Sequence, residues 1–162
     1  MVIEQADTTD AHLLASIVSE SNKDVARLFG IDIHNAPKHP SFCKPEWILD
    51  ELARGQKFLI YRDHGIAKGC VAIELPDENT AYLNRLAVLS QYRHNGIGSL
   101  LVKHILEVAK DKGVDIVSIG IIAQHNLLKT WYQKLGFECG TIKKFDHLPF
   151  DVLYMQYALT KC

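Results

Sequence analysis

The sequence predicts a mixed α/β domain, and three features carry that expectation. Helix-type spacing of apolar residues dominates the chain up to Arg54. From Lys57 the period shortens to strand-type runs set off by polar turns. A glycine-containing turn at Gly96 and Gly98 then opens a long amphipathic helix, after which strands and helices alternate. A chain of 162 residues is the size of one ordinary domain with its own core, so residues 1–162 are expected to form a single domain.

Each element follows from local pattern. Met1–Gln5 reads as a short strand. Thr8–Ser19 reads as a helix, with Thr8 or Thr9 as its cap and Leu14, Ile17 and Val18 on one face. A second helical stretch covers Lys23–Phe29. Ile31–Ser41 holds two prolines, His34, His39 and Asn35, and reads as an irregular loop. Pro45–Arg54 is a helix with proline in its first turn and Gly55 just past its end. Lys57–Tyr61 and Lys68–Leu75 are strands joined by the turn Arg62-Asp63-His64-Gly65, and Ala81–Leu89 is a third strand after a turn at Pro76–Asn79. The long helix runs from about Gly98 to Lys112, with Leu101, Ile105 and Val108 on one face and Gly113 closing it. Asp115–Ala123 is too apolar to be half exposed and reads as a buried strand. Leu127–Lys134 is a short helix, and Glu138–Lys143 and Val152–Leu159 are the last strands.

Composition narrows the function. The chain is 48% hydrophobic and 23% charged, a soluble globular balance, and its formal net charge is -1. No global basic field draws it to nucleic acid or to anionic lipid, so a bound anion must be held by local geometry. No apolar run approaches the ~20 residues that span a bilayer. The four cysteines, Cys43, Cys70, Cys139 and Cys162, show no Cys-x-x-Cys spacing, so neither a zinc site nor a redox motif is expected. The opening MVIEQADTTD carries acids where a signal peptide carries basic residues. The expectation is a cytoplasmic protein with free thiols and no metal.

The informative segment is Leu86-Ala87-Val88-Leu89-Ser90-Gln91-Tyr92-Arg93-His94-Asn95-Gly96-Ile97-Gly98-Ser99. A strand enters a tight turn that opens directly into a helix. The first N–H groups of a helix lack internal partners and sit at the positive end of its dipole, so an anion fits there. Glycines let it approach the backbone. A P-loop would need a lysine after Gly98, and a dinucleotide-binding fingerprint would need a third glycine where Leu101 stands. The pattern Arg-x-x-Gly-x-Gly matches at Arg93, Gly96 and Gly98.

Here the chain resembles the GNAT superfamily of N-acetyltransferases, whose pyrophosphate loop has this pattern. Asn126 and the run Tyr132-Gln133-Lys134-Leu135-Gly136-Phe137 resemble the family's second signature, and Leu86-Ala87-Val88 resembles the strand that pairs with the pantetheine arm. The likeness spans roughly Lys57 to Phe137. It implies the acyl-CoA N-acyltransferase fold, a central mixed, mostly antiparallel sheet flanked by helices. It further implies acetyl-CoA as cosubstrate and a primary amine as acceptor, acetylated by direct attack in a ternary complex. Cofactor contacts would fall on Leu86, Ala87, Val88, Arg93, His94, Asn95, Gly96, Ile97, Gly98, Ser99 and Asn126.

Amide formation from a thioester needs a neutral amine, a polarised carbonyl and a proton for the departing sulfur. The resemblance makes Tyr132 the proton donor and backbone N–H groups near Ala87 and Val88 the polarising groups. The base is open. Neither Tyr82–Val88 nor Val117–Ile122 carries a carboxylate, so Glu74, His147 or a water chain is left to accept the amine proton. Ile31–Ser41 and Lys144–Phe150 are the loops expected to choose the acceptor. A homodimer is compatible with the resemblance. The absent strand carboxylates also leave a second reading, a catalytically silent acetyl-CoA-binding sensor or interaction module.

Overall fold

A computed structural model describes Met1–Leu159; Cys162, expected as a free thiol, lies outside the described residues. The strands are β1 (Val2–Gln5), β2 (Lys57–Asp63), β3 (Ile66–Glu74), β4 (Thr80–Val88), β5 (Ile116–Ile122), β6 (Glu138–Lys143) and β7 (Val152–Ala158). The helices are α1 (Ala11–Ser21), α2 (Lys23–Leu28), α3 (Pro45–Ala53), α4 (Ile97–Asp111) and α5 (Asn126–Lys134). The seven strands are bonded in the order β1-β2-β3-β4-β5-β7-β6. The sheet is mostly antiparallel, with β4 and β5 parallel. This is the fold class expected from the sequence.

The chain gathers into two compact units: Met1–Glu74 with Leu83–Ile105, and Leu75–Tyr82 with the chain from Leu106 onward. In the first unit, Leu14, Ile17 and Val18 of α1 and Ile48 of α3 bury against Phe58, Ile60, Cys70, Ala72 and Ala87 of the sheet. The shared face read from the spacing in α1 is therefore the core face. The β2–β3 connection is tighter than the four-residue turn expected. Asp63 pairs with Ile66, and His64 (φ 51°) and Gly65 (φ 78°) alone make the bend. Two left-handed residues match the twist of the flanking strands, which lets the ladder run to the turn.

The start of the first helix also differs from expectation. Asp7, not Thr8 or Thr9, is the cap: Thr9 N donates to Asp7 Oδ1 at 2.9 Å, and Asp7 N donates to Asp10 Oδ2 at 3.0 Å. A carboxylate accepts more strongly than a hydroxyl and suits the positive end of the helix. A 3-10 turn over Thr8–Asp10 precedes α1. Within the loop after α2, His39 caps a further 3-10 turn over Pro40–Phe42, with Ser41 N donating to its Nδ1 at 3.2 Å.

In the second unit, β4 pairs with β5 through Thr80, Ala81 and Tyr82. β5 pairs along its length with β7, from Ile116 opposite Ala158 to Ile122 opposite Val152. β6 forms the outer edge on β7 and is exposed throughout.

Candidate functional site

The loop predicted to bind a diphosphate is built from backbone of alternating hand. β4 leads into a 3-10 turn over Ser90–Tyr92. His94 (φ 66°) and Gly96 (φ 80°) then take left-handed conformations on either side of Asn95, and α4 begins at Ile97. Such alternation turns successive N–H groups into one concavity that suits an anion. Leu100 N makes a turn-closing bond to Gly96 O at 3.1 Å, so Ile97, Gly98 and Ser99 contribute the N–H groups that an α-helix cannot satisfy internally. A Cβ placed on Gly96 meets nothing within 4 Å, so the space beside the loop is open. The donors, the helix end and the room fit a diphosphate.

Arg93 stands differently from its neighbours. Its Nε donates to Val88 O at 3.2 Å, its Nη1 to Asp24 Oδ2 at 2.5 Å and its Nη2 to Ser21 O at 2.5 Å. The guanidinium ties the end of α1 and the start of α2 to the loop. Its hydrogen bond to Asp24 holds that carboxyl below the usual carboxylate range, with their charge attraction helping and partial burial opposing.

β4 reaches this loop through a kink. Arg85 takes φ 55°, a left-handed conformation rare for a residue with a side chain. Beyond it lie Leu86, Ala87 and Val88. Ala87 is buried, and its carbonyl lies 2.9 Å from where a Cβ on Gly69 would stand, so β3 approaches that closely only because residue 69 is glycine. The Arg85 guanidinium makes a two-pronged bond to Glu51 of α3, Nε to Oε1 at 2.9 Å and Nη2 to Oε2 at 2.7 Å, with the ring of Trp47 5.9 Å away. Next to it, Asn84 Nδ2 donates to Gln56 Oε1 and to Glu74 Oε1, each at 3.2 Å. Glu74, a candidate base, is thus tied to β4 through Asn84.

Sequence reading missed Glu51. The available signal was Arg85 itself, the one charged residue of β4, which asks for a partner where the strand is buried. The cysteines nearby are not activated: burial pushes the Cys70 thiol up to about 12 and raises Cys43 as well. A thiol so shifted stays protonated and is a poor nucleophile.

Glu74, Leu86–Val88 and Arg93–Ser99 thus belong to the first unit, while Asn126, Tyr132 and His147 belong to the second. Asn126 is the first residue of α5, one position earlier than expected, because His125 Nδ1 accepts from Leu128 N at 3.4 Å and caps the helix. Tyr132 is 5% exposed, edge-on to Trp131 (4.9 Å between centroids) and Phe137 (5.3 Å). Burial raises its phenol pKa well above the ordinary 10.0. Gly136 of the same signature has φ 107°, and a Cβ there would stand 2.8 Å from Tyr157 Cε2. His147 is exposed on the loop between β6 and β7, beside Phe145. Among the described residues no group of three or more His, Cys, Asp or Glu could hold a metal, and no helix is long and apolar enough to cross a membrane.

With this geometry in place, comparison with known proteins defines the class. A family model described as an acetyltransferase (GNAT) domain matches residues 54–139. The chain belongs to the GNAT acetyltransferase family, whose acetyl donor is acetyl-CoA. It is 29% identical to the probable N-acetyltransferase san of Drosophila melanogaster, over 78% of this chain and 73% of that one. It is 26% identical to N-alpha-acetyltransferase 50 of Danio rerio, over 90% and 88%. The PaiA N-acetyltransferase of Thermoplasma acidophilum, solved in complex with coenzyme A, shares its fold at a TM-score of 0.77 and 22% identity, over 98% of this chain and 99% of that one.

Proposed function

We propose that this chain works as a single acetyl-CoA-dependent N-acetyltransferase domain and that its acceptor is a primary amine, specifically the α-amine of a peptide or protein N-terminus. The observation that carries the cofactor reading is the His94–Ser99 loop, with its alternating backbone and the first turn of α4. Acetyl-CoA supplies an acetyl group activated as a thioester. Main-chain N–H groups from His94 to Ser99 would hold its diphosphate, each charge-assisted bond contributing about 1.5–3 kcal/mol. Backbone of Leu86, Ala87 and Val88 would hold the pantetheine arm and polarise the thioester oxygen. Asn126 is assigned to cofactor binding on the strength of its signature.

Tyr132 is the proposed proton donor to the departing sulfur, and burial keeps its phenol protonated for that task. We assign the amine proton to Glu74, directly or through water, in preference to the exposed His147. The bond from Asn84 places its carboxylate at β4, whereas His147 sits on an exposed loop. Direct attack by the amine suits a site whose buried thiols, Cys43 and Cys70, are held protonated.

Two arguments support an α-amine. The zebrafish relative, similar over most of both chains, is named an N-alpha-acetyltransferase. The strand positions Tyr82–Val88 and Val117–Ile122 also hold no carboxylate. An α-amine titrates near ~7.8 and is about one-third neutral at a pH of ~7.5, whereas a lysine amine near ~10.4 is neutral about one part in a thousand. The weaker base demand fits the α-amine. Incubation with acetyl-CoA and a mixture of free-N-terminus peptides, N-blocked lysine peptides and polyamines, read by mass spectrometry, tests this. Acetylation confined to free N-termini is expected. Modification of lysine or polyamine alone overturns the acceptor assignment, and coenzyme A binding without turnover on any amine favours a sensor module.

A further inference from the structure

We infer that Glu51 and Arg85 form a positioning pair, whose task is to hold the left-handed kink of β4 and so aim the backbone of Leu86–Val88. The inference rests on the proposed role of that backbone in holding the acyl-pantetheine arm. A side chain is rarely found at φ 55° inside a strand, and such a conformation persists only where the surroundings over-determine it. They do so here. Glu51 is buried at 7% exposure on α3 and takes both prongs of the Arg85 guanidinium. Cys70 Sγ, on the neighbouring strand, donates to Arg85 O at 3.5 Å. Trp47, one turn before Glu51 on α3, flanks the guanidinium.

The consequence for β4 follows from strand periodicity. Successive residues face opposite sides of a sheet, so relaxing one left-handed residue to an extended conformation turns every residue after it. Ala87 is packed in the core cluster with Phe58 and Cys70, and its carbonyl sits against Gly69. The amides of Leu86 and Val88 are aimed by the same constraint. Well-packed apolar residues often stabilise a fold as well as a buried ion pair does, so stability alone does not account for the pair.

The test uses full-length protein and three readouts: coenzyme A affinity by calorimetry, steady-state kcat and KM, and unliganded Tm. The variants are E51M/R85M and E51M/R85G, in which no carboxylate is left buried without its partner. Glycine adopts φ 55° readily but weakens a strand, whereas methionine packs well and resists that φ. Geometry therefore predicts opposite rankings. E51M/R85M should keep the higher Tm yet lose at least tenfold in coenzyme A affinity, and E51M/R85G should have the lower Tm yet recover most of that affinity. Affinity in E51M/R85M within twofold of wild type, or affinity ranking in step with Tm, overturns the inference. Should neither double variant fold, Glu51→Gln is read instead: a tenfold loss is expected, and unchanged affinity overturns the pair's role. Absence of coenzyme A binding by the wild-type protein is a separate outcome, which defeats the function assigned to the loop.

Discussion

Replacing Tyr132 by phenylalanine separates chemistry from packing at the second signature. The ring lies edge-on to Trp131 at 4.9 Å and to Phe137 at 5.3 Å, and phenylalanine keeps both contacts. Only the hydroxyl goes. Stability should change little, whereas Tyr132→Ala would remove a buried aromatic ring at a cost of about 3–5 kcal/mol and confuse the reading. A positioned proton donor contributes roughly 10²–10⁴-fold to rate. The lower end, about a hundredfold in kcat, corresponds to about 2.7 kcal/mol of transition-state stabilisation. Because burial raises the phenol above its ordinary 10.0, wild-type kcat should show no fall assignable to this group as the assay approaches that pH. The assay is release of free coenzyme A with a chromogenic thiol reagent, at saturating peptide, with Tm measured alongside. The expected result is a large drop in kcat at nearly constant KM for acetyl-CoA. An unchanged kcat in a folded Tyr132→Phe protein would make Tyr132 a packing residue of the aromatic cluster and move proton donation elsewhere.

Three further perturbations follow from the same geometry. Gly96→Ala puts a methyl into the open space beside the loop and strains φ 80°; coenzyme A affinity by calorimetry should fall at least tenfold, while stability drops by only about 1–2 kcal/mol. Gly136→Ala combines a strained φ of 107° with a Cβ 2.8 Å from the Tyr157 ring, so urea denaturation should show a loss of about 2–4 kcal/mol; that loss should be smaller when measured against a Tyr157→Ala background, the difference being the steric part. Asp24 has a folded pKa below its unfolded value near 3.8, so its pair with Arg93 stabilises the fold above that pH and stops doing so as pH falls through the depressed folded value. Asp24→Asn should therefore lower Tm slightly at neutral pH, and its melting curve should converge with wild type in acid; a constant gap at every pH would refute the electrostatic origin.

Much of the fold was legible because its signals are local. The amphipathic period of α1, the proline and glycine that bracket α3 and the apolar run of β5 each lie within a few residues. The turn that opens α4, proposed to hold the diphosphate, was legible for the same reason, since two glycines before an amphipathic run suffice to mark it. Small misses had local causes as well. A carboxylate at Asp7 outcompeted the threonines for the first cap, and a primed turn at His64–Gly65 let β2 and β3 run further than their polar residues suggested.

What the sequence determined alone is therefore the class of protein: a glycine turn between a strand and a long helix, a tyrosine signature and an acetyltransferase fold. What the tertiary structure decided is which charged side chains pair across the fold. Arg93 meets Asp24 across 69 positions and Arg85 meets Glu51 across 34. No periodicity links residues so far apart, because the sheet and helices that carry them must assemble before either charge has a partner.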